Sequence, residues 1–511
     1  MPEQFRALVV ILFVASVVFF LARRPASDLI PDRDFKRRRN LWLLITLLAF
    51  FSFSFWVYTA AAIVTLVLAR RREHNPMALF FMLVFAIPPA SMNIPGFGVI
   101  NYLIELNHIR ILTLCVLLPT ALTLSKQSDT VRFGRLLPDK LLTASLVLMT
   151  LIYLRETTVT DTLRQAVSLY LDVFLPYYVA SRGLKTVQDF KDALLAFVLA
   201  AFLLSIIAVA EFARHWLLYN GLISAMGMQW SMSSYLSRGG SLRASATTGQ
   251  AIALAYVISV AIGMYLFVQG YVRNRLQRYM GALLLAAGLV VPLSRGPWIG
   301  AGIIVAVFIA TGKGAVKRLT LLACAGLLAL PLLTLLPGGE KVLDLLPFVG
   351  NLEKENITYR QRLLDNAWIT IQRNPMFGSF DFRNTPEMQT MIQGEGIIDI
   401  VNSYISLALR FGLVGLALFV AFFASVLLAL YKALRAFPDK EDEHRRLGRT
   451  LLATLLGILV IIFTVSSITV IPVVYWSVGG LSVAYVQMVR RLRSSESTVL
   501  GTAQPTNQVL S

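Results

Sequence analysis

Long apolar runs separated by short polar stretches recur along the chain from Phe5 to Gln487. A membrane-crossing helix needs about 20 apolar residues. Runs of roughly that kind fall at 5–22, 41–69, 77–92, 108–125, 140–154, 164–180, 188–212, 250–270, 279–293, 297–311, 319–337, 411–431, 449–467 and 470–488. The 41–69 run is too long for one upright helix. Basic clusters at both its ends, Lys36-Arg37-Arg38-Arg39 and Arg70-Arg71-Arg72, predict a tight hairpin turning near Ser52-Phe53-Ser54. The count is then 14 or 15, and the pattern predicts an all-α, polytopic transmembrane helical bundle. One interruption, 338–402, is long and has a periodicity of its own. Within it Leu363, Leu364, Ala367, Trp368 and Ile371 recur at helical spacing, and Asn374-Pro375 ends that helix. Met376 to Glu395 reads as a loop. Asn402-Ser403-Tyr404 then opens a helix that passes through Arg410-Phe411-Gly412 into the membrane. The N-terminal run lacks a basic leader and ends at Arg23-Arg24, so it reads as an uncleaved first span rather than a secretory signal.

Composition agrees. Of the 511 residues 57% are hydrophobic and only 15% charged, against roughly 25% charged in soluble domains. The pattern divides the chain into an N-terminal membrane region (1–237), a core (238–431) that includes the long external loop, C-terminal membrane helices (432–493) and a disordered tail (494–511). The net charge is +19, and its distribution argues against nucleic acid. Each basic cluster is short, abuts an apolar run and lacks interleaved aromatics, which is the pattern of cytoplasmic loops. Working back from the basic loop 432–448 and tail 489–511 puts 338–402, the turn at Arg295 and segment 213–249 outside. Cys115 and Cys324 lie in separate apolar runs without metal-ligand spacing and read as small buried hydrophobes.

Candidate chemistry gathers on the outer side. Leu293-Ser294-Arg295-Gly296-Pro297-Trp298 places an arginine between two membrane-length runs. A charge at mid-bilayer costs about 2.5–3.5 kcal/mol on insertion scales, so Arg295 belongs near the surface or in a cavity where an anion meets it. Gly296 allows a tight bend and Pro297 suits a first helical turn, which sets Arg295 at a helix N-terminus where anions are favoured. A guanidinium fork at such a terminus suits a pyrophosphate; snorkelling to lipid headgroups is the plainer alternative. Segment 238–250 is small and hydroxylated, leaving backbone accessible to phosphate or sugar, and contains Arg243. Arg360 and Arg362 open the external helix two positions apart, so they do not share a face.

These residues resemble the O-antigen ligase and O-antigen polymerase superfamily. Residues 293–300 resemble its Ser-Arg-Gly-small-Trp signature. The stretch from Arg360 to Gly378 resembles its arginine, helix, Asn-Pro and Gly element. Asn402-Ser403-Tyr404-Ile405 with Arg410 to Gly415 is similar to its His-Asn-Ser-Tyr-Leu and Gly-leucine-Gly helix. The resemblance spans roughly residues 240–430. It implies glycosyl transfer at the periplasmic face of a bacterial inner membrane, from a polyprenyl-diphosphate-linked oligosaccharide, with no metal, nucleotide sugar or other cofactor. By position, Arg295 and Arg360 would hold the diphosphate with Arg243 or Arg362 supporting, and Asn402 and Tyr404 would complete substrate binding.

One position departs from the family. Val401 stands where the ligase motif has histidine, so no imidazole acts there. Asp399 and Glu395 are the candidate bases, Asp399 favoured, because a carboxylate among apolar neighbours has a raised pKa suited to taking a proton from a sugar hydroxyl. The departure moves weight from a lipid A–core ligase to a polymerase of an exopolysaccharide or O-antigen. Rival readings are a ligase with a different acceptor and a transporter of lipid-linked glycans. Other polysaccharide export proteins are candidate partners.

Overall fold

The computed structural model describes residues 2–98, 100–228, 237–238, 240–334, 354–393 and 396–502. Among these, seven helices are long and apolar enough to cross a membrane: Glu3–Ser27, His108–Lys126, Leu137–Glu156, Val187–Arg214, Ala251–Tyr271, Ser403–Leu434 and Ile471–Ser494. Phe55–Arg70 and Arg295–Ala310 are shorter apolar helices. The chain is a polytopic membrane protein. The 41–69 run divides as expected, into Asp32–Phe51 and Phe55–Arg70, with Phe53 in the left-handed region (φ 44) at the turn.

Three expectations need correction. The 77–92 run is helical only over Pro76–Leu83. Pro88 and Pro89 remove backbone donors beyond it, and the chain enters an antiparallel hairpin, Ser91–Pro95 with Tyr102–Asn107. The fold is therefore mostly rather than wholly helical. The last helix continues to Thr502, past the point where disorder was expected. Extending a formed helix costs little where glycine and proline are absent, and neither occurs between Arg493 and Gly501. Cys115 is buried, but Cys324 is exposed on its helix.

Polar contacts sort into two sets, one at each end of the bundle. At one end Arg38 reaches Glu73 at 2.7 Å and Asp192 at 2.8 Å, Lys191 reaches Glu443 at 2.7 Å, and Arg449 donates to the carbonyl of Phe308 at 2.6 Å. All these lie in or next to segments read as cytoplasmic. At the other end Trp216 donates to Glu3 at 2.7 Å and Arg243 to the carbonyl of Pro292 at 3.1 Å. Grouping by side is what the alternation of spans requires.

Two glycine-dependent contacts shape the outer end. Helices Arg295–Ala310 and Glu443–Ile462 approach so closely that a side chain at Gly300 would collide with Ile461, and one at Gly457 with Ile304. Small residues at helix contacts permit this in membranes, where association depends on packing. Helix Ser403–Leu434 breaks at Gly412 (φ 67, ψ −172). The break frees backbone groups that membrane surroundings cannot hydrate, and the 375–379 segment takes them up. Leu413 N donates to Pro375 O at 2.7 Å, Val414 N to Met376 O at 3.2 Å, and Leu409 O accepts from Ser379 N at 3.0 Å. A Cβ at Gly412 would strike the backbone of Met376 and Phe377.

Gly412→Ala combines a left-handed backbone with a backbone collision and is expected to cost about 3 kcal/mol or more. Gly300→Val should cost about 1–3 kcal/mol by overpacking. Gly302→Ala faces open space and should leave stability unchanged. Thermal unfolding of the purified variants checks all three; equal melting of Gly412→Ala and Gly302→Ala would contradict the account of the break.

Candidate functional site

Helix Arg295–Ala310 starts at Arg295 itself, after Ser294. The bend that delivers it falls at Leu293, which has φ 51, and not at Gly296. Gly296 is needed for close approach instead: a side chain there would collide with the Thr464 side chain. Trp298 Nε1 donates to Leu289 O at 2.7 Å across the turn, and the Ser259 hydroxyl reaches Pro297 O at 2.9 Å. These bonds fix the start of the helix. Arg295 is only 7% exposed, so it faces protein rather than lipid.

Arg243 sits against the same turn, its Nε donating to Pro292 O at 3.1 Å. The segment that follows is not the accessible backbone expected from its composition. Ala244 to Thr248 are buried. The amides of Ser245 and Ala246 donate to Glu211 at 3.1 and 2.8 Å, and Leu218 N donates to the same carboxylate at 3.0 Å. Glu211, a buried carboxylate near the end of Val187–Arg214, thus organises the loop that presents Arg243. Its position inside a strongly apolar run marks it in the sequence as a costly charge with an assigned task.

The external helix, Lys354–Arg373, buries Leu363, Ala367 and Ile371 against Phe382, Met388, Ile400 and Leu409. Leu364 and Trp368, at the same helical spacing, are exposed. This packing turns Arg360 toward the end of Glu443–Ile462, where its Nη2 donates to Thr464 O at 3.4 Å. Arg362 is exposed, and among the described residues no hydrogen bond or ion pair joins it to this group. Two positions of offset carry it to another face.

Asp399 lies in the loop before Ser403–Leu434. Tyr359 OH donates to its backbone carbonyl at 2.9 Å, and Ser466 Oγ lies 3.3 Å from its Oδ1. Burial pushes the Asp399 carboxyl above its ordinary value, against the opposing effects of the Ser466 hydroxyl and the Arg360 guanidinium. Glu395 lies outside the described residues. Asn402 caps the next helix, its Oδ1 accepting from Tyr404 N at 2.9 Å and Ile405 N at 3.2 Å. Tyr404 OH donates to Leu459 O at 2.9 Å, which ties that helix to Glu443–Ile462. Both residues thus make contacts that hold the scaffold together.

The common neighbour is the linker after Ile462, which sequence reading passed over. Thr464 meets Gly296 and Arg360; Ser466 bonds Asp399, and also Ile400 O at 2.7 Å; Val465 O accepts from Ser403 Oγ at 2.7 Å; Ser467 Oγ donates to Ser403 Oγ at 2.7 Å. The only signal was the polar run Thr464-Val465-Ser466-Ser467 between two apolar stretches. The linker thus meets Arg360, Asp399 and the helix start that carries Arg295, with Arg243 on the adjoining turn. A guanidinium beside a carboxylate of raised pKa, with a second at the adjoining helix start, can bind an anionic group and take up a proton. The histidines lie elsewhere: His108 is buried, with Nδ1 2.6 Å from Tyr58 OH.

Comparison with known proteins bears on one stretch of the chain. The chain has no match among the curated proteins. Residues 280–420 match the family described as O-Antigen ligase, a span that contains Arg295, Arg360, Arg362, Asp399, Asn402 and Tyr404 but neither Arg243 nor Thr464. Residues 280–420 are thus the part of the chain that is similar to the O-Antigen ligase family.

Proposed function

We propose that this protein is a metal-independent glycosyltransferase of the bacterial inner membrane, a polysaccharide polymerase working at the periplasmic face. It moves a glycan from a polyprenyl-diphosphate-linked donor to a sugar hydroxyl of another lipid-linked repeat unit. Residues 238–431 form the catalytic core, flanked by membrane regions 1–237 and 432–493. The observation that carries this reading is that the Thr464–Ser466 linker meets Arg360, Asp399 and Gly296, the neighbour of buried Arg295. The family match over 280–420 supports a lipid-linked glycan as the substrate class.

The chemistry follows from those groups. Asp399 takes the proton of the acceptor hydroxyl as its oxygen attacks the anomeric carbon of the donor. The bond from that carbon to the diphosphate breaks, and its electron pair leaves on the diphosphate. Arg295 and Arg360, always charged, stabilise the leaving group, and such preorganised charge acts most strongly where water is excluded. A ligase would use the same groups with a different acceptor, whereas a transporter needs no base. Purified protein given a defined lipid-diphosphate oligosaccharide, without metal or nucleotide, separates the three. A ladder of products supports the polymerase, a single transferred unit the ligase, and movement without new bonds the transporter.

Arg295→Ala should lower product formation about 100-fold or more while the protein inserts at normal levels, and Arg295→Lys should restore only part of the rate, since a point charge lacks bidentate contacts. Wild-type polymer from Arg295→Ala would remove the anion role. Asp399→Asn should reduce kcat about 100-fold or more with little change in KM. The base works ionised, so the rate should fall as pH drops through the raised pKa of Asp399, at a higher pH than an exposed aspartate would give. Ser466→Ala deletes a hydrogen bond that lowers that pKa and should move this acid limb to still higher pH. A limb that stays in place in Ser466→Ala would exclude Asp399 as the base.

A further inference from the structure

A second cationic site lies at the opposite end of the bundle. A cleft of about 450 Å³ opens between Ser403–Leu434, the last helix and the 135–138 turn. Lys432 is 29 residues beyond Ser403, roughly 40 Å along a helix, which separates this cleft from the arginine site by about a bilayer thickness. Its walls are apolar, including Val426 and Ala429, and its rim carries Arg135, Lys432, Arg490 and Arg493 with no carboxylate. The four cations are exposed, and among the described residues their side chains make no ion pair or hydrogen bond. Nearby carboxylates are already engaged: Asp139 pairs with Arg182 and Asp129 with Lys185, each at 2.5 Å.

We propose that this cleft binds an anionic phospholipid of the surrounding bilayer, its phosphate on the four cations and an acyl chain along the apolar wall. The positive-inside pattern accounts for basic residues in cytoplasmic loops. It does not account for four of them converging from three separate segments on one apolar-walled cleft. Four like charges repel one another unless an anion sits among them, and the apolar wall selects an anion that carries a hydrocarbon chain. Basic pockets between helices at the cytoplasmic side are suited to such headgroups. The lipid would bridge the ends of Ser403–Leu434 and of the last helix, the two helices that start beside Asp399 and just after Ser467.

The test titrates the full-length protein in detergent with cardiolipin and with phosphatidylcholine, read by native mass spectrometry. Wild type should retain one cardiolipin at least tenfold more tightly than phosphatidylcholine. Arg490→Gln with Arg493→Gln should weaken cardiolipin about 25-fold, at about fivefold per cation, and leave phosphatidylcholine unchanged. Ala429→Trp fills the apolar wall, keeps every cation and should also release cardiolipin. Equal affinity of wild type for the two lipids overturns the proposal, as does full cardiolipin affinity in the double variant. Displacement of cardiolipin by inorganic phosphate also overturns it, because the cations would then serve a free anion. Should the double variant melt early, Lys432→Gln and Ala429→Trp decide by the same criteria.

Discussion

The close approach of helices Arg295–Ala310 and Glu443–Ile462 is the contact on which the rest of the outer end depends. Gly300 and Gly457 remove the side chains that would hold the helices apart. In a bilayer no hydrophobic gain drives two apolar helices together, so contact area and backbone proximity decide. Gly296 extends the same seam to Thr464. The start of one helix therefore lies beside the end of the other, and Arg295 is brought to the linker that also meets Arg360 and Asp399. A bulky residue in this seam would misplace the cation without touching it.

The second constraint is backbone saturation. A helix broken at membrane depth leaves donors and acceptors without water. The 375–379 segment fills the break at Gly412 and thereby fixes the external loop to the membrane helix. Arg155 Nη2 adds a bond to Gly378 O at 2.9 Å from a different helix. The external helix is held from below by this plug and from the side by Leu363, Ala367 and Ile371. That packing places Arg360 beside the Thr464 carbonyl.

Charge is handled differently at the two ends. At the end that holds Arg38 and Arg182 both buried cations meet carboxylates, Arg38 with Glu73 and Asp192, and Arg182 with Asp139. Paired burial of this kind is tolerable only when both partners are present. At the other end Glu211 spends its oxygens on backbone amides rather than on an arginine.

Much of this was legible in the chain itself. Run length and flanking arginines determined the membrane class and the hairpin at Phe53, because crossing hydrocarbon demands saturated apolar helices whatever packs beside them. The periodicity of Leu363, Ala367 and Ile371 determined the external helix, and Asn374-Pro375 its end. Proline pairs, by contrast, shortened the 77–92 run, which apolarity alone did not reveal. Only the tertiary structure decided that Gly296 serves close packing while Leu293 makes the bend, that Arg360 and not Arg362 meets the Thr464 carbonyl, and that Thr464 and Ser466 join groups separated by more than a hundred residues. Such outcomes depend on which helices touch and at what distance, and that is set by contacts between remote segments that no local pattern records.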